Sequence, residues 1–352
     1  MYWKTDHPES PDWERDSVIA DLTPFQPGEP TALTGEAAAY CRYYGLDLWV
    51  EHPQVDYHLG TMPAAGHSVA VHYFHQPSPR GTVFVFHGYF DHIGLYSQLI
   101  DRCLEAGFDV LAYDQPGHGL SSGTPAAITS FTEYQAVLAD VLVRVRMLPA
   151  PWYAVGQSTG GGILIDYLLA HVPYDSHCFR RVVLLAPLVR PMGWIGAKAL
   201  HTVVKPFLSR WRRVFAENSN DSRFLRFLRD HDPLQARAVH VDWVTALRRW
   251  VPHIESARPV PFPVTVIQGE KDLTVDWHHN LRIIRNKFEP VVVRRLPDGR
   301  HHLANEAPDL QATVFNVMIR TFLDDAGRGD AGTSESVSEP SDQMDRTEGE
   351  VS

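Results

Sequence analysis

The chain has 352 residues and is 44% hydrophobic, which suffices for one large domain or two medium ones. It contains no stretch of ~18 apolar residues that could span a membrane. The net charge is −10, but −7 of it lies in residues 324–352, so the remainder lacks the basic surplus that nucleic-acid binding requires. Three scattered cysteines are too few for a disulfide framework. Residues 1–16 lack the apolar core of a secretory signal. Both observations favour a cytoplasmic protein.

The elements are predicted in chain order from apolar periodicity. The first 30 residues are rich in proline and charge and are expected to be loosely structured, 32–44 has helical spacing, and 55–75 predicts two strands joined through 60–66. From residue 82, short apolar runs alternate with amphipathic segments. The predicted strands are 82–87, 108–113, 152–155, 181–186, 264–268 and 291–296. The predicted helices are 96–106, 131–147, 160–171, 276–286 and 308–323.

Solid apolar strands that alternate with helices are typical of a parallel sheet covered on both faces, so the fold class is α/β with a doubly wound, mostly parallel sheet. We expect a partly ordered N-terminal extension (1–50) and a core formed by 51–189 and 259–323. Residues 190–258 interrupt the pattern with helical spacing, arginines and aromatics, and are predicted to form an inserted helical cap over the carboxyl edge of the sheet. Residues 324–352 predict a disordered acidic tail.

The pentapeptide GQSTG (156–160) lies between a predicted strand and a predicted helix. A serine at such a sharp turn projects its hydroxyl above the sheet, and the flanking glycines avoid collisions with neighbouring backbone. The helix that follows directs free N–H groups and the positive end of its dipole toward the same point. Ser158 is therefore predicted to be a catalytic nucleophile.

A nucleophilic serine needs a histidine base and a carboxylate that orients it, and at this kind of turn they follow the serine in the order acid, then histidine. Asp272 comes directly after the strand 264–268, whereas its competitor Asp276 opens a helix and is better interpreted as that helix's cap. After the strand 291–296, the adjacent His301 and His302 are both candidates for the base.

An oxyanion formed during acyl transfer needs two backbone donors. We expect them to be the N–H groups of Thr159, directly after the serine, and of Tyr89, in the loop after the first core strand. Gly88 lets that loop turn tightly, and Gly88 and Gln157 are predicted to contact the substrate. A metal site is not expected, because no carboxylate–histidine ligand pattern is present.

Residues 205–215 of the predicted cap interleave basic and aromatic side chains. Two interpretations are open. Either the aromatics pack on the core and the arginines are solvated, or the segment makes peripheral contact with an anionic lipid surface.

The motifs together resemble the serine-hydrolase branch of the α/β-hydrolase superfamily, and most closely its monoacylglycerol lipase and lysophospholipase group, over residues 65–323. The residues that carry the resemblance are HGYFDH (87–92), DQPGHGLSSG (114–123), GQSTGG (156–161), HDPL (231–234), GEKD (269–272) and RHHLANE (300–306). The group's last motif is a histidine followed by acid-Leu-Leu-Asn-Glu, so the resemblance places the catalytic histidine on His301. It implies cleavage of lysophospholipid or monoacylglycerol esters with no metal or organic cofactor.

The rival functions use the same machinery on a small ester, a thioester or a peptide. A prolyl-type aminopeptidase needs an acidic anchor for the substrate amine, and Glu217, Asp221 and Asp230 of the predicted cap are candidates for it. A non-catalytic binding protein on this scaffold is disfavoured, because such proteins typically lose a member of the triad and here every member is present.

Overall fold

A single eight-stranded sheet organises the protein in the computed structural model, which describes residues 11–28, 30–31, 33–170 and 178–329. Two further strands, β7 and β8, form a small sheet of their own. In chain order the strands are β1 (Asp56–Ala64), β2 (His67–His75), β3 (Thr82–Phe86), β4 (Asp109–Tyr113), β5 (Trp152–Gln157), β6 (Phe179–Leu185), β7 (Arg210–Arg212), β8 (Ala238–His240), β9 (Val264–Gly269) and β10 (Val291–Leu296).

The main sheet has the strand order β1-β2-β4-β3-β5-β6-β9-β10. The strands from β4 to β10 in this order pair in parallel, whereas β1 pairs antiparallel with β2 and β2 pairs antiparallel with β4. Every residue of β3 and β4 is buried, and apolar clusters cover both faces of the sheet. The predicted mostly parallel sheet is therefore confirmed.

Helices flank the sheet and follow the predicted periodicity closely. They are α1 (Arg15–Asp21), α2 (Gly35–Tyr44), α3 (Ser97–Glu105), α4 (Phe131–Arg144), α5 (Thr159–Ala170), α6 (Trp194–Val204), α7 (Ser222–Arg226), α8 (Val241–Ser256), α9 (Trp277–Lys287) and α10 (Pro308–Gly329). A capping box between Ser130 and Glu133 fixes the start of α4. Asp276 caps α9 by accepting a hydrogen bond from the His279 N–H, as the sequence predicts.

Two sequence predictions need correction. The turn between β1 and β2 lies at Ala65 and Gly66 rather than across 60–66, because β1 continues through Gly60. Residues 23–25 run alongside at that point, and a Cβ on Gly60 would lie 2.7 Å from the Thr23 carbonyl oxygen.

The first 30 residues are not loosely structured throughout, since α1 forms and Trp13 is buried edge-on against Tyr40.

Two helices differ from their predicted ends or reach beyond the described residues. The predicted end of the helix 160–171 lies outside the described residues, as does most of the tail predicted as 324–352. The last helix continues to Gly329, past its predicted end at residue 323. Among the described residues, no helix is long and apolar enough to cross a membrane.

The segment between β6 and β9 contains α6, α7, α8 and the small β7–β8 sheet. Two tryptophans of α8 attach it to the core: Trp250 Nε1 donates to Asp166 at 2.9 Å, and Trp243 Nε1 donates to the Tyr134 hydroxyl at 3.3 Å. The Trp243 ring also stacks on Tyr89 at a centroid distance of 3.8 Å. The inserted segment is thereby held against the loop that follows β3.

Candidate active site

Ser158 lies at the sharp turn between β5 and α5 with φ of 52°, a left-handed conformation that is strained for a residue with a side chain. The turn depends on its glycines: a Cβ on Gly160 would lie 2.2 Å from the Phe86 carbonyl oxygen, and one on Gly156 would lie 2.5 Å from the Gly160 carbonyl carbon. The Ser158 carbonyl oxygen accepts from the N–H groups of Gly162 and Leu188, which fixes the turn from both sides.

The structure brings Ser158, His301 and Asp272 into one line of hydrogen bonds. His301 Nε2 lies 3.0 Å from Ser158 Oγ, and His301 Nδ1 lies 2.8 Å from Asp272 Oδ2. These residues follow three different strands, β5, β10 and β9, whose carboxyl ends meet at the same edge of the sheet. The adjacent His302 points elsewhere, with Nε2 3.2 Å from a carboxylate oxygen of Asp91.

The Asp272 carboxylate is kept ionised by its surroundings. Burial alone would raise its pKa, but the charge and hydrogen bond of His301 and the N–H groups of Thr274 and Val275 outweigh burial and hold the pKa below its usual value. Gln268 Nε2 adds a further donor at 3.1 Å. An ionised carboxylate at Nδ1 orients the imidazole so that Nε2 faces Ser158 as an acceptor.

Two residues that line the cavity with Ser158, Tyr89 and Thr159, have backbone N–H groups without a partner in the described part of the chain. Among the described residues, none accepts a hydrogen bond from the backbone N–H of Tyr89 or of Thr159. The Gly88 N–H, by contrast, is already engaged by Asp91 Oδ2 and the Tyr96 hydroxyl. Two free N–H groups beside a serine hydroxyl are what a developing oxyanion needs.

Gly88 and Gln157, both predicted to contact the substrate, line the same cavity as Ser158. A Cβ on Gly88 would lie 2.7 Å from Asp91 Oδ2, so a larger residue would displace the Asp91 carboxylate. The Gln157 side chain has a further role that the sequence did not indicate. Its Nε2 donates to the His301 carbonyl oxygen at 2.8 Å and its Oε1 accepts from the Ala304 N–H at 3.4 Å, which holds the histidine loop in place.

The cavity above Ser158 has a volume of about 220 Å³. Its wall is formed in part by the inserted segment, through residues that sequence reasoning did not assign to the site. These include the apolar Leu188, Val214 and Trp243, the polar Asn218 and the cationic Arg213. Among the described residues, no group of three or more His, Cys, Asp or Glu side chains could hold a metal ion.

The comparisons with known proteins agree with this architecture. Residues 77–308 match the family described as serine aminopeptidase, S33. Monoglyceride lipase of Rattus norvegicus is 26% identical over 264 residues, which cover 70% of this chain and 83% of the relative. Phospholipase YtpA of Bacillus subtilis is 28% identical over 211 residues, which cover 56% of this chain and 78% of the relative.

A solved structure of a soluble variant of monoglyceride lipase from Saccharomyces cerevisiae, in complex with a substrate analogue, superposes with a TM-score of 0.64. The two sequences are 20% identical, and the match covers 76% of this chain and 94% of that one. At this identity the likeness shows the fold alone. It confirms the predicted α/β-hydrolase fold.

Proposed function

The chain belongs to the serine aminopeptidase S33 family and is a carboxylic-ester hydrolase. From this premise we propose that it cleaves the ester bond of monoacyl lipids, with Ser158, His301 and Asp272 as its catalytic triad. The observation that carries the proposal is the hydrogen bond of 3.0 Å between His301 Nε2 and Ser158 Oγ at the floor of a partly apolar cavity. The relatives named as monoglyceride lipases support the substrate class.

The proposed reaction has two steps. Ser158 Oγ attacks the ester carbonyl carbon while its proton passes to His301 Nε2, and Asp272 stabilises the imidazolium. The N–H groups of Tyr89 and Thr159 bind the oxyanion of the tetrahedral intermediate. The C–O bond to the alcohol breaks, and the alcohol takes the proton from His301. Water then attacks the acyl-serine with the same histidine as base, which releases the fatty acid and restores Ser158.

An aminopeptidase function is disfavoured by the contacts of its three candidate anchors. Glu217 lies 3.6 Å from Arg300, Asp221 caps α7 by accepting from the Arg223 and Phe224 N–H groups, and Asp230 pairs with Arg229. None of the three acids is among the residues that line the cavity above Ser158. A substrate amine therefore has no anchor there of the kind we expected.

Small esters and monoacyl lipids undergo the same chemistry at Ser158 and are distinguished by the acyl-chain length that the enzyme prefers. We expect kcat/KM for p-nitrophenyl esters to rise by about 10-fold or more from C2 to C8, because each buried methylene contributes ~0.8 kcal/mol in the best case. We also expect 1-oleoylglycerol to be hydrolysed faster than trioleoylglycerol. A C2 optimum would contradict the lipid substrate and favour a small-ester esterase, and turnover of prolyl p-nitroanilide alone would favour a peptidase.

We further propose peripheral contact between the inserted segment and a lipid surface. Large apolar side chains of the inserted segment are exposed, among them Ile195 on α6 at 81%, Phe207 just after α6 at 81% and Val214 after β7 at 86%. Lysines accompany them at Lys198 and Lys205. Exposed apolar side chains flanked by basic ones bind anionic bilayers through both the hydrophobic effect and charge.

The membrane proposal predicts that the double variant Ile195→Asp/Phe207→Asp binds anionic phosphatidylglycerol vesicles about 10-fold or more weakly than the wild type, measured by co-sedimentation. The matched control is Val143→Asp/Met147→Asp, which changes two exposed apolar residues at the end of α4, outside the segment. Equal loss in both double variants would show that the added negative charge, and not the position, is responsible. Unchanged binding in both would remove the lipid contact from the proposal.

A further inference from the structure

Arg213 places a cation in the wall of the active-site cavity. Its guanidinium lies between two aromatic rings, with Cζ 4.0 Å from the ring centre of Phe90 and 4.4 Å from that of Phe215. One terminal nitrogen, Nη1, donates to Gln235 Oε1 at 2.6 Å and to the Ala236 carbonyl oxygen at 3.4 Å. The two ring contacts and the anchored corner restrict the orientation of the planar group.

The other donors of Arg213 have no protein partner. No described residue accepts a hydrogen bond from its Nε or Nη2, and no described carboxylate lies within ion-pair distance of the guanidinium. Partial burial lowers the pKa of Arg213 to about 10, so the side chain remains a cation at neutral pH.

The two carboxylates in the neighbourhood are committed elsewhere. Asp91 accepts hydrogen bonds from the Gly88 N–H and the Tyr96 hydroxyl and faces His302. Asp232 accepts from the Tyr44 hydroxyl, from Gln235 and from the Leu234 N–H, and lies 3.0 Å from His92 Nε2. Their charges favour the protonated form of Arg213 from a distance, but neither occupies its open N–H groups. A cation beside a nucleophile with open donors is suited to a negatively charged ligand.

Two further observations point to a ligand at this wall. Phe90, which supports one face of the guanidinium, has φ of 71°, a strained conformation of the kind that persists at binding sites. The buried amide oxygen of Asn218 has no hydrogen-bond partner among the described residues, and Asn218 lines the cavity together with Arg213. Both residues also line a second hollow of about 290 Å³, whose other charged side chains are those of Glu217, Arg226 and Arg229.

We infer that Arg213 binds the phosphate of a phosphorylated monoacylglycerol, so that the preferred substrate of the proposed esterase carries an anionic head group. The guanidinium edge binds two phosphate oxygens through Nε and Nη2, and Asn218 Oδ1 accepts from a glycerol hydroxyl. The inference rests on the proposed ester hydrolysis at Ser158, and it adds the chemical class of the head group.

The test compares 1-hexanoylglycerol 3-phosphate with 1-hexanoylglycerol, two soluble esters that differ only in the phosphate. We expect the wild type to prefer the phosphorylated ester in kcat/KM, and Arg213→Gln to lower the ratio of the two kcat/KM values by about 10- to 100-fold. Arg213→Lys, which keeps the charge but loses the planar fork, should fall between them. The matched control is Arg249→Gln, an exposed arginine of α8 outside the cavity, which should leave the ratio unchanged.

Binding without turnover separates this inference from the proposed function. In the Ser158→Ala background, calorimetry with 1-hexanoylglycerol 3-phosphate should give a Kd that rises about 10-fold or more when Arg213→Gln is added. If Arg213→Gln is folded by thermal melting and changes neither the ratio of the two kcat/KM values nor the Kd of the phosphorylated ester, the anion site is overturned. If it does not fold, Arg213→Lys decides by the same ratio and Kd. If the wild type hydrolysed neither ester, but binding of the phosphorylated ester in the Ser158→Ala background still depended on Arg213, the proposed function would be overturned and the anion site would stand.

Discussion

Replacing Ser158 by alanine is expected to lower kcat for p-nitrophenyl octanoate by about 10⁵-fold or more. The attacking atom is Ser158 Oγ, and the other donors and acceptors of the site have no nucleophile to act on once it is gone. Residual turnover of the order of 10³-fold over water is expected from the oxyanion donors and substrate binding alone. The measurement is a steady-state assay on protein whose melting temperature matches that of the wild type.

A fluorophosphonate probe provides an independent readout, because it labels an activated serine whatever the natural substrate is. We expect stoichiometric labelling of the wild type and none of Ser158→Ala. Ser256→Ala, at the exposed end of α8, is the matched control and should label like the wild type. Labelling that survives in Ser158→Ala would mean that another serine is the activated one, and the proposed triad would have to be abandoned.

The meeting of Ser158, Asp272 and His301 could be predicted because it follows from topology. Each residue comes just after a parallel strand, and parallel strands that run in the same direction bring their carboxyl ends to one edge. Three apolar runs and the residues that follow them were therefore enough to bring Ser158, Asp272 and the adjacent histidines together, whereas the choice of His301 over His302 came from the family resemblance. The exact bounds of those runs did not matter, since β9 and β10 extend at most one residue beyond the predicted ends and β5 extends two.

The rest of the site could not be predicted, because it depends on contacts between distant segments with no repeating pattern. Arg213 of the inserted segment contacts Phe90 of the loop after β3, and the Tyr44 hydroxyl donates to Asp232 across 188 positions of the chain. The N-terminal segment shows the same effect. Its composition favours loose structure, but Trp13 finds an aromatic cluster on α2 that no local rule could supply.

His301→Ala is expected to lower kcat by about 10⁵-fold or more, whereas His302→Gln is expected to lower it by less than about 10-fold. Adjacent residues in an extended loop point in different directions, and only the His301 ring reaches Ser158 Oγ. His302 lies against the Phe224 ring and beside Asp91, where it supports a buried carboxylate. Its loss should therefore appear mainly in the free energy of unfolding, by about 1–3 kcal/mol, measured by urea denaturation.

The pair of histidines makes this comparison more informative than either variant alone. Asp91 and His302 form a second carboxylate–imidazole pair close to the first, and the pKa of Asp91 lies well below its usual range because the charge of His302 and the hydrogen bonds of its neighbours outweigh burial. If His302→Gln lost about 10⁵-fold in kcat at unchanged stability while His301→Ala kept most of its kcat, Asp91 and His302 would be the acid and base. Asp272 would then be a structural carboxylate that only fixes the loop after β9. The distance of 3.0 Å from His301 Nε2 to Ser158 Oγ argues for the opposite result, because a base must be within hydrogen-bond reach of the proton that it removes.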